Sequence, residues 1–263
     1  MRDIIAHYEK VPEDSRLLTG WGKLEFARTQ ELILRYLPSR PGKILDVGGG
    51  SGIYSWWLGS LGYETHLIDP VSRHVERARQ FSQITSAEVG DARNLTPKDG
   101  SFDAVLLLGP LYHLTDPDDR LRALAEARRI LRTGGLLFAA AINRFASLLD
   151  GLVRGFVDDP RFVSILEQDL KDGQHRNTAG DPDFFTTSFF HRPEELEAEV
   201  MKADFSVVAL VAVEGPGWLA NEFDERWADP ARREQLLDLI RRVEQQRVLL
   251  SITPHFLAVA KRN

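Results

Sequence analysis

The sequence predicts an α/β fold: a doubly wound, mostly parallel seven-stranded sheet with an inserted lid. Three observations carry this prediction. Short apolar runs alternate with helical periodicity between residues 43 and 142, the mark of parallel strands joined by right-handed crossovers. Gly48, Gly49, Gly50 and Gly52 crowd the turn after the first run, where glycine serves either a strained turn or a close neighbour. With 263 residues, 43% of them hydrophobic and 27% charged, the chain can bury one α/β core of ordinary size.

The elements follow in order. A helical pattern over residues 22–37 places Leu24, Ala27, Glu31, Ile33, Leu34 and Leu37 on a largely apolar face, with Pro38 as its stop. "KILDV" (43–47) is a short apolar run of the buried parallel-strand kind, followed by the glycine turn and a helix to about residue 61. Strands are expected at 63–69, 86–91, 102–109 and 134–142, with helices at 72–81 and 117–131 between them. Residues 143–192 break this rhythm; interrupted at Pro160, Gly173, Gly180 and Pro182, they are too long for a plain connection and read as a lid. A helix at 192–204 with Pro193 in its first turn, a strand at 205–213, a loop around 215–218, a charged helix at 230–248 and a strand at 255–262 complete the chain. The expected organisation is a helical cover over residues 1–38 and one domain over 39–263, with the lid at about 143–192.

Composition removes several classes of function. No cysteine is present, which excludes disulfides, thiolate metal sites and cysteine nucleophiles. A formal charge of −6 argues against a nucleic-acid partner, and no segment is apolar for long enough to span a bilayer. "MRDIIAHYEK" lacks the apolar core of a signal peptide, so a cytoplasmic protein is expected. Histidines and acids show no paired spacing such as H-E-x-x-H, and no metal site is expected. The mixed-charge stretches 224–234 and 241–247 read as solvated helical faces.

Glycines between a strand and a helix let the backbone approach a ligand. A dinucleotide fingerprint, G-x-G-x-x-G, would need a third glycine at Ile53 or Ser55, so a nicotinamide-dependent oxidoreductase fits imperfectly and stands as the alternative. The pattern that fits is an acid two residues before G-x-G-x-G: Asp46, Gly48, Gly50 and Gly52. A glycine-rich turn without a ligand is the plainer explanation. Taken with four later features, "LDVGGGSG" (45–52) resembles the first motif of the class I S-adenosylmethionine-dependent methyltransferases, of the small-molecule, type 11/12 kind. Those features are Asp69 closing the second strand, "GDARNL" (90–95) after the third, "FDAVLLLGPLYHL" (102–114) at the fourth and "LRTGG" (131–135) before the fifth. Together they cover about residues 40–142. Thr133 stands where the family usually has proline.

The resemblance implies a Rossmann-like methyltransferase fold, in which the last strand runs antiparallel beside the sixth, and a role for each matched residue. Gly48, Gly49, Gly50 and Gly52 would pass under the methionine part of S-adenosylmethionine, with Asp46 facing its ammonium group. Asp69, beside Pro70, would accept from both ribose hydroxyls, Asp91 from the adenine amino group, and the Ala92 amide would meet a ring nitrogen. The loop Gly109 to Leu111 would place backbone groups near the sulfonium, with Leu108 as a further cofactor contact. The implied activity is methyl transfer to an oxygen or nitrogen of a small-molecule acceptor, leaving S-adenosylhomocysteine; a non-catalytic cofactor-binding protein is the rival. His113, just past the fourth strand's C-terminal end, is the candidate general base, with a structural loop histidine as the plainer role. Candidate acceptor contacts are Tyr8 and Arg16 in the N-terminal stretch 7–22, Tyr112, and, in the lid, His175, Arg176 and Phe185, part of a run of interleaved aromatics and cations. Such aromatics are otherwise core residues.

Overall fold

The computed structural model describes Tyr8, residues 15–37 and residues 39–263. Helix α1 (Gly22–Tyr36) leads into strand β1 (Lys43–Val47), α2 (Ile53–Ser60), β2 (Glu64–Asp69), α3 (Ser72–Ala78), β3 (Ser86–Val89) and β4 (Phe102–Leu107). There follow α4 (Pro110–His113), α5 (Pro117–Ile130), β5 (Leu131–Ile142), α6 (Ala146–Arg154), α7 (Pro160–Asp172), β6 (Gln174–His175) and β7 (Ser188–Phe189). The chain ends with α8 (Pro193–Lys202), β8 (Phe205–Ala212), α9 (Phe223–Ala228), α10 (Pro230–Val243) and β9 (His255–Arg262). The seven-stranded sheet has the order β3-β2-β1-β4-β5-β9-β8, with β9 antiparallel to both its neighbours. This is the expected Rossmann-like methyltransferase topology. The strand order reverses beside β1, and the carboxyl ends of β1, β2 and β4 share one edge, where open α/β sheets hold their ligands.

Both faces of the sheet are covered, which is why its strands are apolar runs rather than alternating ones. On one face Leu45, Val105 and Leu107 pack against Ala123, Leu124 and Ala127 of α5 and Leu196 and Val200 of α8. On the other, Ile44, Leu106, Phe138 and Val259 meet Leu32 and Ile33 of α1 and Tyr54 and Leu58 of α2. Periodicity misassigned two positions of α1: Leu34 is exposed, while Arg28 is wholly buried. Arg28 donates to Val213 O at 3.1 Å, Glu31 at 2.7 Å and Glu244 at 2.5 Å. Arg35 pairs with both of these acids, and Arg241 with Glu31. Arg242, Gln245, Gln246 and Arg247 are exposed, as expected of a solvated face, but Glu244, the residue that follows α10, is buried and locks the N-terminal helix to the C-terminal part of the chain.

Residues 143–192 fold as an insert with its own small core, Phe162, Ile165, Leu166 and Phe184. Gly173 ends α7 at φ +77°, and a Cβ there would come within 2.4 Å of Phe190 O, so a close approach as well as the turn requires glycine. Arg144 clamps the insert's two ends, donating to Phe190 O at 2.7 Å and to Glu195 at 2.8 Å.

Candidate functional site

At the carboxyl edge of β1, β2 and β4 lies a cavity of about 180 Å³. Its floor is the turn after β1. Gly48 and Gly50 have φ of +70° and +56°, a region β-carbons disfavour. A Cβ on Gly48 would meet Pro110 at 2.8 Å, and one on Gly49 would stand 2.6 Å from Asp46 Oδ2, whereas the space over Gly50 is open. These are the dimensions of a cradle in which backbone lies directly under a ligand.

The acids sit where the strands end. Asp69 is buried and accepts the Gly50 N–H at 2.9 Å and the Val71 N–H at 2.8 Å, with His74 Nδ1 at 3.2 Å. A carboxylate has about four acceptor positions, so capacity remains for a hydroxyl. Asp46 is 2% exposed and accepts from Ser55 Oγ at 2.8 Å. Burial, against the pull of the Ser55 hydroxyl and aided by the charge of Asp69, raises its carboxyl to about 7. A cation arriving beside it would restore its charge. Asp91 lines the cavity with its carboxylate gripped by Arg93, whose guanidinium holds it below the ordinary range against the effect of burial.

Of the expected cofactor contacts, Asp46, Gly48, Gly49, Gly50, Asp69, Pro70, Asp91, Ala92, Leu108 and Gly109 all line this cavity. Gly52 does not: it is turned toward Ile84 and Ala78, where a Cβ would clash at 2.8 Å, so its role is to let α2 pack on the β2–α3 layer. Tyr8, Arg16 and Tyr112 also line the cavity, and His113 does so with Nε2 2.9 Å from the Tyr8 hydroxyl. The rest of the N-terminal stretch 7–14 lies outside the described residues.

The insert corrects the acceptor-wall expectation. His175 is 1% exposed, with Nδ1 2.9 Å from Asp169 and Nε2 2.7 Å from Phe184 O. Arg176 donates to His175 O and Ser188 O. Neither lines the cavity; both hold the β6–β7 turn together, because a long insert must satisfy its own backbone. Phe189 lies under the Arg120 guanidinium at 3.9 Å, so the interleaved aromatics and cations stack on one another. Phe185 also lies off the cavity lining, yet it stacks on His113 at 6.1 Å between ring centres.

A polar cluster that sequence reading missed closes the cavity's far end. His255 opens β9, and its Nδ1 lies 2.6 Å from Glu214 Oε1. Glu214, 3% exposed, also accepts the His255 backbone N–H at 3.0 Å. Glu25 on α1 is held by both arms of Arg16, at 2.5 and 2.9 Å. Burial works against its charge, but Arg16 and His255 together outweigh it and bring the carboxyl down to about 2. One signal could have found His255. An antiparallel last strand starts at the edge where parallel strands end, so its first residue faces the ligand side; Ile142, closing β5, pairs with His255.

A glycine-floored cleft with an acid at the end of the second strand defines a nucleoside-cofactor-binding α/β protein. Residues 45–139 match the model of a methyltransferase domain family. The chain is similar to the ubiquinone biosynthesis O-methyltransferase of Methylocella silvestris, 33% identical over 46% of this chain and 52% of that one. It spans about half the length of the curated relatives it matches. Among solved structures, an S-adenosylmethionine-dependent methyltransferase of Methanosarcina mazei aligns with TM-score 0.58 at 20% identity over 88% of this chain and 96% of that one. A protein of Pyrococcus horikoshii aligns with TM-score 0.64 at 18% identity over 98% and 99%. Residues 45–139 thus match a methyltransferase domain, and the chain shares the fold of S-adenosylmethionine-dependent methyltransferases.

Proposed function

We propose that this chain transfers a methyl group from S-adenosylmethionine to an oxygen or nitrogen atom of a small-molecule acceptor, leaving S-adenosylhomocysteine. The observation that carries the reading is the cradle: bare backbone over Gly50, flanked by two buried carboxylates, Asp46 and Asp69, at the ends of adjacent strands. S-adenosylmethionine supplies an electrophilic methyl on a sulfonium when bound. The chain's part is to hold and enclose. Asp69 accepts hydrogen bonds of the ribose, Asp46 balances the ammonium group, and Ala92 and Asp91 border the base. Such transfer is an in-line displacement, so alignment and exclusion of water supply most of the acceleration.

Residues 1–38 act in this reading as a cover, since Arg16, Leu17, Glu25 and Thr29 line the cavity, and the domain proper runs from 39 to 263 with the insert as its lid. The cavity's largely apolar lining supports a small molecule over a nucleic acid. Among the described residues no helix is long and apolar enough to cross a membrane. Calorimetric titration with S-adenosylhomocysteine and with NADH tests the cofactor. Binding of S-adenosylhomocysteine alone is expected, and binding of NADH alone would refute the reading. Release of S-adenosylhomocysteine with a panel of phenols, amines and carboxylic acids separates an enzyme from a cofactor-binding protein.

A further inference from the structure

The geometry points to His255, oriented by Glu214, as the group that takes a proton from the acceptor, and to an acidic hydroxyl, a phenol or an enol, as that acceptor. This assignment rests on the methyl-transfer reading above.

Position comes first. β8 runs parallel to β5 and ends just before Glu214, while β9 runs back from His255, so both residues stand on the ligand edge of the sheet. A carboxylate can only accept, so the 2.6 Å contact fixes the imidazole proton on Nδ1 and leaves the Nε2 lone pair free. Nε2 takes no hydrogen bond from the described residues and is not among their buried unpaired atoms, so it stays accessible in a residue that lines the cavity. Glu214 is in turn fixed by the His255 N–H and by Thr253 Oγ1 at 3.1 Å. His113, the candidate from sequence, has its Nε2 engaged by Tyr8.

Charge favours the same role. Three other charged groups face His255: Glu214 on its own turn, Glu25 from α1 with Oε2 4.0 Å from Nδ1, and Arg16 beside Glu25. With a neutral imidazole this group carries one net negative charge, and with an imidazolium it is neutral, so the site welcomes a proton. Burial opposes the imidazolium, but Glu214 and Glu25 overcome it and raise the His255 ring above its ordinary range. A more basic imidazole can take the proton of a phenol or enol, whereas that of an aliphatic alcohol lies too many orders of magnitude away. Leu17, Tyr54, Val213 and Leu257 give the same end the apolar walls that a flat ring requires.

In the step, the acceptor O–H bond breaks, its proton passes to His255 Nε2 and its electron pair stays on oxygen. The O–CH3 bond forms as the C–S bond breaks, that pair returning to sulfur, and the imidazolium afterwards releases its proton to water. Ligand atoms of Glu25, Glu214 and His255 also lie within 4.8 Å of one another, a spacing a cation could use. Arg16 and the Glu214–His255 bond already occupy them, which favours the base.

The probe is 4-nitrophenol, whose absorbance reports its own ionisation, bound to protein saturated with S-adenosylhomocysteine. Wild type is expected to ionise it about one pH unit below the free phenol. His255→Asn, whose amide still donates to Glu214, should leave it un-ionised while S-adenosylhomocysteine affinity stays within about threefold; His255→Gln is the second variant should the first fold poorly. In turnover of a phenol, His255→Asn is expected to lose roughly a hundredfold or more in kcat. Glu214→Gln should shift the rise of rate with pH to lower pH, because the carboxylate that raises the ring is gone, and His113→Asn should keep the wild-type pH profile. Equal ionisation of the probe by wild type and His255→Asn overturns the assignment. So does turnover of amines alone, loss of turnover to a chelator restored by a divalent cation, or no binding of any phenol by protein that binds S-adenosylhomocysteine. Failure to bind S-adenosylhomocysteine itself would instead remove the methyl-transfer reading.

Discussion

The two ends of the cavity are built in opposite ways. The cofactor end is local: Asp46, Gly48, Gly49, Gly50, Asp69, Asp91 and Gly109 fall within the run from β1 to just past the end of β4 and sit where consecutive strands end. The acceptor end is assembled from afar. Glu25 comes from α1, Glu214 from the end of β8 and His255 from the start of β9, brought together by ion pairs that span most of the chain. The first end depends on backbone geometry, the second on tertiary clamps. Their sensitivities should therefore separate.

Affinity for S-adenosylhomocysteine, read by calorimetry, should rank substitutions by distance from the cradle. Gly49→Val heads the series: its side chain would stand where Asp46 Oδ2 and Leu67 now are, within 2.8 Å, and an affinity loss of roughly a hundredfold or more is expected. Asp46→Asn should cost about tenfold to a hundredfold at pH 8, the worth of a charged contact. The wild-type affinity should weaken as pH falls below about 7, where Asp46 takes up its proton, while that of the variant stays flat. The sign for stability is the reverse. Between the ordinary carboxylate range and about 7 the folded protein keeps a proton that the unfolded chain releases, so folding weakens as pH rises through that window. Asp46→Asn removes this cost, and its Tm advantage without ligand should grow up to about pH 7 and then level off.

Tyr8→Phe removes one hydrogen bond, to His113 at 2.9 Å, and should cost about threefold to tenfold in affinity. Arg28→Met is the sharpest test of separation. It leaves Glu244 buried with one of its two arginine partners gone and should destabilise the protein by about 3 kcal/mol, seen as a lower Tm. Cofactor affinity should nevertheless change by less than about threefold, while phenol binding at the Glu25–His255 end falls by more. Equal losses at both ends would erase the distinction. His175→Asn, inside the insert, is expected to lower Tm and leave cofactor affinity unchanged.

The same contrast explains what could be read in advance. Strand positions and the cradle were legible because buried parallel strands and glycine turns impose their residue types locally, with errors confined to element ends and to Gly52. The insert was legible as an interruption but not as a structure. "DFFTTSFF" has the composition of a ligand wall, and only packing shows its rings stacking on Arg120, on Arg144 and on each other. Within the mixed charges of 241–247, which are otherwise largely exposed, only packing shows that Glu244 is buried against Arg28 from α1.

By itself, then, the sequence determined the sheet, its edge and the residues that floor the cavity there, because those rest on contacts between near neighbours and on backbone conformations that few residues tolerate. Only the tertiary structure decided the acceptor end. His255 becomes a base when an antiparallel strand brings it to the carboxyl edge beside Glu214 and α1 sets Glu25 against it, and no local pattern marks residues that acquire their charge environment from each other.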